Sequence, residues 1–543
     1  MEKILLTTLF LILTSCSNND IITWENYDEK SEIIENSTHE ISRMRYKRIQ
    51  SLSSDKNKIF SPFYPFLKSY DLVYHESIKE FIVNKDISTI QAYISEDKFS
   101  YEDLVKFFIY RIYKHELDKN LYLNAIISLN PNVINEAREL DKKAQKGNLL
   151  YGIPILVKDN INVKDLTTTA GASVFINNYV DNNAFVINQL KKNDVLILGK
   201  LNMSEWAYYF CRPCPVGYSS LGGQTLNPYG RKIFESGGSS SGSGVSVAAN
   251  YALASLGSET SGSILSPSSK NSLVGLKATI GSLSRSGIVP ISSFYDTSGP
   301  MTTNVYDNVL LFNAMIGYDK NDEQSYEANR ININEMLDFN TSNIKVGLSN
   351  IYNNDSLIYN ALQDLKKIGV KSVFYESKPY SIPDFRNILT SDMKRDLPKY
   401  ILGYGNKSLT VKNIRDIVNF NNRDTFLHAP YNQILFKGIL NDSTTNRKLE
   451  KMKEETRSNA TDYLNKIMKD KNFDIFVSVD NNMAGIAAAA HFPALTIPMG
   501  YRKNGQPKNI TFITRSNNEQ LLYNLGFHYE RVSMRRKTPD IYR

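Results

Sequence analysis

The chain has 543 residues, 41% of them hydrophobic and 22% charged. That balance excludes an intrinsically disordered chain and supplies apolar material for a sizeable core. The formal net charge is +8, but Lys and Arg are interspersed with Asp and Glu along most of the chain, which argues against a nucleic-acid partner.

At the N-terminus, Lys3 precedes an apolar run from Ile4 to Leu13. The run is too short for a permanent membrane span and fits the core of a signal peptide. It ends in Leu13-Thr14-Ser15-Cys16, which resembles a bacterial lipobox. Residues 1–15 are therefore expected to be removed, and Cys16 is expected to carry acyl chains that hold an exported protein on a lipid bilayer. Ser17 after the cysteine favours the outer membrane. Residues 16–75 are polar and irregular, and are expected to form a tether and then wrapping segments around a main domain over 76–543.

From about residue 76 to 147 the pattern is helical. In YEDLVKFFIYRIYKHE, residues Leu104, Phe107, Phe108, Ile109 and Ile112 fall on a broad apolar stripe. A second helix is expected over PNVINEARELDKKAQKG, with Pro131 near its start and Gly147 beyond its end. GIPILVKDN then reads as a buried strand, AFVINQLKKN as a helix and DVLILGK as the next strand. NIKVGLS, a helix near 355–368 and VKSVFYE repeat that order. DIFVSVD, ALTIPMG and NITFITR are further strands, and EQLLYNLGFHYERV is a closing helix. This alternation predicts an α/β fold, a sheet with helices on its faces. Residues 376–470 read as a helical insert between sheet elements.

The stretch GGSSSGSGVSVAANYALASLGSETSGSIL, Gly237 to Leu265, carries two Ser/Gly clusters around an apolar run of helical character. Gly238-Ser239-Ser240-Ser241-Gly242 matches GxSxG, the nucleophile elbow of α/β-hydrolase esterases. Such an elbow requires a leading strand and a later catalytic histidine, for which His428, His491 and His528 are available. A lysine offers a different base. Lys158 ends the strand Ile153 to Val157, where burial disfavours its charged form; a neutral amine can deprotonate a serine. Cys211 and Cys214, spaced C-R-P-C, are compatible with a disulfide, with two free thiols or with redox chemistry. A zinc site would need more ligands, and none of the six histidines is near in sequence. No HExxH, P-loop or strand-borne GxGxxG is present, so neither a metal nor a nucleotide cofactor is expected.

GIPILVKDN together with Gly237–Leu265 resembles the amidase signature family. TTAGA at 168–172, LGKLNMSEWA at 198–207, NPY at 227–229 and VGLKAT at 274–279 agree with it. Within the family the chain is most similar to peptide amidases, in GGQTLNPY, SLSRSGIVPIS, DTSGPM, KSLTVKNIRDIVNFNN (407–422) and HAPYNQILF (428–436). Glu259 stands where many members have Asp, Leu265 where many have Arg, and Ser261 where this branch carries Asp. The resemblance implies a single domain on a mixed, twisted sheet covered by helices on both faces. It implies a hydrolase of linear amides, cleaving carbon–nitrogen bonds other than peptide bonds, with a small-molecule or peptide amide as substrate and no cofactor. Its catalytic residues would be Lys158, Ser239 and Ser263. Ser263 would be the nucleophile, and Ser239, after a cis peptide bond, would relay the proton to neutral Lys158. The backbone N–H groups of Thr260, Ser261, Gly262 and Ser263 would hold the oxyanion. Trp206 and Tyr208 are expected in the pocket wall or core, and His491 in a structural role. A binding protein with an amidase-like fold and no activity is a second reading. A subunit of the tRNA-dependent amidotransferase is a third, against which the lipobox and the peptide-amidase-like insert speak.

Overall fold

The computed structural model describes residues 19–143, 147–378 and 380–543. The expected signal peptide and Cys16 lie outside the described residues. Eleven strands form one mixed sheet: β1 (Ile126–Leu129), β2 (Pro154–Lys158), β3 (Leu196–Leu201), β4 (Ala254–Glu259), β5 (Val274–Lys277), β6 (Thr297–Thr302), β7 (Lys345–Ser349), β8 (Lys371–Tyr375), β9 (Ile475–Val479), β10 (Ala494–Tyr501) and β11 (Pro507–Ile513). Their spatial order is β1-β3-β2-β4-β6-β5-β10-β11-β9-β7-β8. β2 is parallel to both β3 and β4, and β7 is parallel to β8 and β9. The remaining pairings are antiparallel. Helices cover the sheet, as the alternating pattern predicts, and most central strands are buried along their whole length.

The expected strands GIPILVK, DVLILGK, NIKVGLS, VKSVFYE, DIFVSVD, ALTIPMG and NITFITR all form. Four strands have no counterpart in the sequence reading: β1, β4, β5 and β6. The apolar run after Gly244 is not one helix. It divides into a helix, Ser241–Ala248, and β4. Small residues explain why β4 and β6 look unlike strands. A Cβ on Gly299 would lie 2.1 Å from the Leu276 carbonyl oxygen, and one on Gly257 would lie 2.9 Å from Ser240 Oγ. Glycine stands at both positions because neighbouring chain approaches too closely for a side chain.

On the N-terminal side, the helix Tyr101–Glu116 starts at a capping box in which the Ser100 hydroxyl and Asp103 carboxylate satisfy each other's backbone N–H groups. Its stripe of Leu104, Phe107, Phe108, Ile109 and Ile112 is buried as expected. The helix expected from about 131 to before Gly147 runs from Val133 to Asp141. The stretch expected as tether and irregular wrap contains the short helices Lys30–Asn36, Asn57–Phe60 and Tyr64–Ser69, and Trp24, Met44, Tyr46, Ile49 and Phe60 anchor it in the core. Trp24 is 7% exposed, its N–H donates to Asn57 Oδ1 at 2.7 Å, and Lys56 Nζ sits 4.3 Å above its ring. Between β8 and β9 the insert folds into helices Phe385–Tyr404, Ile414–Arg423, Thr425–His428, Ile434–Leu440 and Asn446–Lys471. These pack on Trp206 and Phe210 through Phe436. No helix among the described residues is long and apolar enough to cross a membrane.

Candidate active site

Sheet topology brings the distant motifs to one edge. β2 and β4 are parallel in register, with Val157 beside Leu256, so their C-terminal ends emerge together. The helix Ser241–Ala248 runs antiparallel to β4. The Ser240 hydroxyl donates to the Ser258 carbonyl at 3.0 Å, and Ser243 donates to the Leu256 carbonyl at 2.9 Å. The loop before this helix therefore lies over the ends of both strands. The Gly238–Ser239 peptide bond is cis. A Cβ on Gly238 would come within 2.6 Å of Val216 and 2.7 Å of Ser204 Oγ, so only glycine fits this fold of the chain. The Ser204 N–H donates to the Ser239 carbonyl at 3.0 Å and holds the loop in place.

Lys158 is fully buried at this junction. Its Nζ donates to Ser239 Oγ at 2.8 Å, to Ser258 Oγ at 2.9 Å and to the Ser258 carbonyl at 3.0 Å. No carboxylate among the described residues lies within ion-pair distance of it. The contrast is Lys200 on the adjacent strand, equally buried, which pairs with Asp159 at 3.2 Å. Without such a partner, burial pulls the Lys158 amine down from 10.5 to about 7, with the more distant charges of Asp296 and Glu259 opposing the shift. The structure thus keeps this amine close to neutrality and in contact with a hydroxyl. Asn160 fixes the other side: its Nδ2 donates to Ser258 Oγ at 2.9 Å.

The second Ser/Gly cluster leaves β4 and turns into the short helix Leu265–Lys270. Ser263 is 9% exposed and lines a cleft of about 390 Å³. The Ser240 N–H donates to the Ser263 carbonyl at 3.2 Å, joining the two clusters directly. Glu259 organises this turn. Its buried carboxylate accepts the N–H groups of Gly262 at 2.6 Å, Ile264 at 2.7 Å and Leu265 at 3.0 Å. Burial raises its pKa, against the pull of those three donors. Gly262 is therefore not the free oxyanion donor the sequence reading expects, because Glu259 occupies its N–H. Its glycine identity has another cause: φ is +85°, and a Cβ would lie 2.9 Å from Asn481 Nδ2. The N–H groups of Thr260, Ser261 and Ser263 have no partner among the described residues. The Thr260 hydroxyl donates to Asp296 Oδ1 at 2.5 Å. Asp296 is half-buried, and loss of solvation pushes its pKa up to about 6.

No histidine serves this site, which removes the esterase-type elbow. His428 Nδ1 is 2.7 Å from the Ser173 hydroxyl, His528 Nε2 is 3.1 Å from the Met336 carbonyl, and His491 packs at a tilt against Phe294. Ser240, the residue GxSxG would make nucleophilic, bonds to Ser258 instead. Trp206 lies in the core against Phe175 and Phe436, while Tyr208 lines the cleft. Cys211 and Cys214 are joined in a disulfide, which settles the spacing the sequence left open. Sequence reasoning missed Ser258, Asn160 and Asp296. The only available signal was proximity: Asn160 closes GIPILVKDN, and Ser258 directly precedes Glu259.

Comparison with known proteins agrees with this architecture. The amidase family profile matches residues 103–480. A probable amidase of Arabidopsis thaliana is 31% identical over 484 residues, spanning 83% of this chain and 91% of the relative. The crystal structure of an amidase family protein from Bacillus anthracis superposes with a TM-score of 0.87 at 34% identity, over 91% of this chain and 100% of that one. Native peptide amidase from Stenotrophomonas maltophilia gives a TM-score of 0.78 at 28% identity, over 84% of this chain and 98% of that one.

Proposed function

The chain belongs to the amidase family, and from that premise we propose that it hydrolyses linear carboxamides through an acyl-enzyme on Ser263. Ser263 Oγ attacks the amide carbonyl carbon and passes its proton to Ser239 Oγ, which passes its own to neutral Lys158. The N–H groups of Thr260, Ser261 and Ser263 receive the negative oxygen. Each such donor contributes about 2.7–4 kcal/mol where measured in hydrolases. Collapse of the tetrahedral intermediate expels the amine, which takes the proton back from Lys158 through Ser239. Water then releases the carboxylic acid by the same relay. The observation that carries this reading is the contact of a buried, unpaired amine of pKa about 7 with the Ser239 hydroxyl at 2.8 Å. Peptide amides and amino-acid amides are the proposed substrates, on the strength of the peptide amidase among the structural neighbours.

A fluorophosphonate probe tests the assignment. Labelling of wild type that is lost in Ser263→Ala, together with loss of amide turnover, supports it. Equal labelling of the two proteins refutes the nucleophile. A non-catalytic protein on this fold would show neither labelling nor turnover.

We further propose that the protein is exported and acylated on Cys16. Support comes from Lys3, the apolar run and the lipobox-like Leu13–Cys16, and from the Cys211–Cys214 disulfide, which suits an oxidising compartment. Metabolic labelling with a palmitate analogue should mark wild type in the membrane fraction and not Cys16→Ala. Incorporation in that variant would disprove the anchor site.

A further inference from the structure

The cleft above Ser263 has a lopsided charge. Arg43, Arg212, Lys270 and Arg386 line it against a single acid, Glu235. Glu235 is already used, since its carboxylate holds Arg43 at 3.1 Å. Lys270 is only partly compensated: Asp480 lies 4.0 Å away and is shared with Lys508 at 2.6 Å. The side chains of Arg212 and Arg386 have no hydrogen-bond or ion-pair partner among the described residues.

These two arginines are nevertheless carried on fixed backbone. Asn432 clamps Arg212 from both sides, accepting its N–H at 3.4 Å and donating to its carbonyl at 3.1 Å. The Arg212 loop is closed by the Cys211–Cys214 disulfide. The Arg386 carbonyl accepts the Tyr209 hydroxyl at 3.3 Å and the Thr390 hydroxyl at 2.9 Å. Tyr209 thereby ties the loop wall to the wall formed by the insert. Ile291, Phe385 and Leu389 supply apolar lining. The result is a cleft of mixed polar and apolar lining, with a nucleophile candidate and two exposed, unpaired guanidinium groups on opposing segments. A cleft with an excess of one sign of charge concentrates ligands of the other sign, and a guanidinium matches the fork of a carboxylate.

We infer that this cleft selects amides bearing a carboxylate away from the bond that is cut, with Arg212 and Arg386 as the specificity-determining residues. The inference rests on the amide-hydrolase reading for its substrate class, and narrows the peptide and amino-acid amides to those that carry a carboxylate elsewhere in the molecule. The carboxylate belongs either to the acyl part, as in a dicarboxylic acid monoamide, or to the amine part, as in an N-acyl amino acid.

The test uses two matched pairs. Glutaryl p-nitroanilide against pentanoyl p-nitroanilide places the charge on the acyl side. N-acetyl-4-aminobenzoate against N-acetyl-4-toluidine places it on the amine side. Turnover is measured with wild type, and binding is measured by calorimetry with Ser263→Ala. In at least one pair the charged member should be preferred about tenfold or more at low salt. That preference should shrink at about 0.5 M salt and fall toward unity in the Arg212→Gln/Arg386→Gln double variant. Equal or absent binding of both members in both pairs overturns the inference, and so does a preference that the double variant retains. The two readings fail separately. Selective binding without turnover removes the hydrolase and keeps the carboxylate site, whereas turnover without selectivity does the reverse.

Discussion

The titration of Lys158 gives the sharpest check on the chemistry. Burial without an ion-pair partner lowers this amine from 10.5 to about 7, a shift equivalent to about 5 kcal/mol between its two protonation states. At pH 7 about half of the molecules then hold a neutral amine, against about one in three thousand for an unperturbed lysine. The neutral form is the base, so kcat/KM for an uncharged amide should rise about tenfold per pH unit below pH 7 and level off near pH 8. Asp296 must be separated from this, because its pKa is about 6 and it bonds the Thr260 hydroxyl. The profile is therefore measured on wild type and on Asp296→Asn from about pH 5 to about pH 9. The limb should persist in Asp296→Asn, displaced to lower pH because the Asp296 charge no longer raises Lys158, whatever its height. The same shift has a consequence for stability. Between about 7 and 10.5 the unfolded chain holds a proton on Lys158 that the folded chain has lost, so this residue's contribution to stability grows as pH rises through that window. Denaturant melts of wild type relative to Lys158→Met should show that slope. A flat activity profile, or a limb that vanishes with Asp296, would refute the assignment of Lys158 as the base.

Other consequences follow from the contacts around this amine. Ser258→Ala removes one acceptor of Lys158 and leaves the carbonyl; a buried hydrogen bond of this kind is worth about 1.5–3 kcal/mol, so kcat should fall by about ten- to a hundredfold with little change in KM. Glu259→Gln leaves one side-chain oxygen where two served three N–H groups, and each buried donor left unsatisfied costs about 1–3 kcal/mol. That variant should melt earlier and react more slowly with a fluorophosphonate, and unchanged labelling would show that Glu259 does not hold the Ser263 turn. Gly262→Ala meets both a φ of +85° and a 2.9 Å contact with Asn481; loss of activity in a folded protein, seen by circular dichroism, is expected. Thiol titration of the unfolded protein should find no reactive Cys211 or Cys214 until a reductant is added.

The chain itself determined the α/β alternation, the helical insert and the identity of the motifs, because hydrophobic periodicity and turn residues are local properties. Seven strands were legible this way, each a run of branched or aliphatic residues. β4 and β6 were not. Their Gly257 and Gly299 answer to neighbours that approach from elsewhere in the chain, and those neighbours are visible only after folding. The same limit applies at the site. Sequence pointed to Lys158, Ser239 and Ser263 through the family resemblance, but burial alone does not distinguish Lys158 from Lys200, which is buried just as deeply. Tertiary structure decided that Asp159 pairs with Lys200 and leaves Lys158 to two serines. It also decided that Glu259 takes the Gly262 N–H, and that Arg212 and Arg386 share one cleft. Proton affinity and donor availability depend on which groups meet across long stretches of chain, and only the packed fold fixes those meetings.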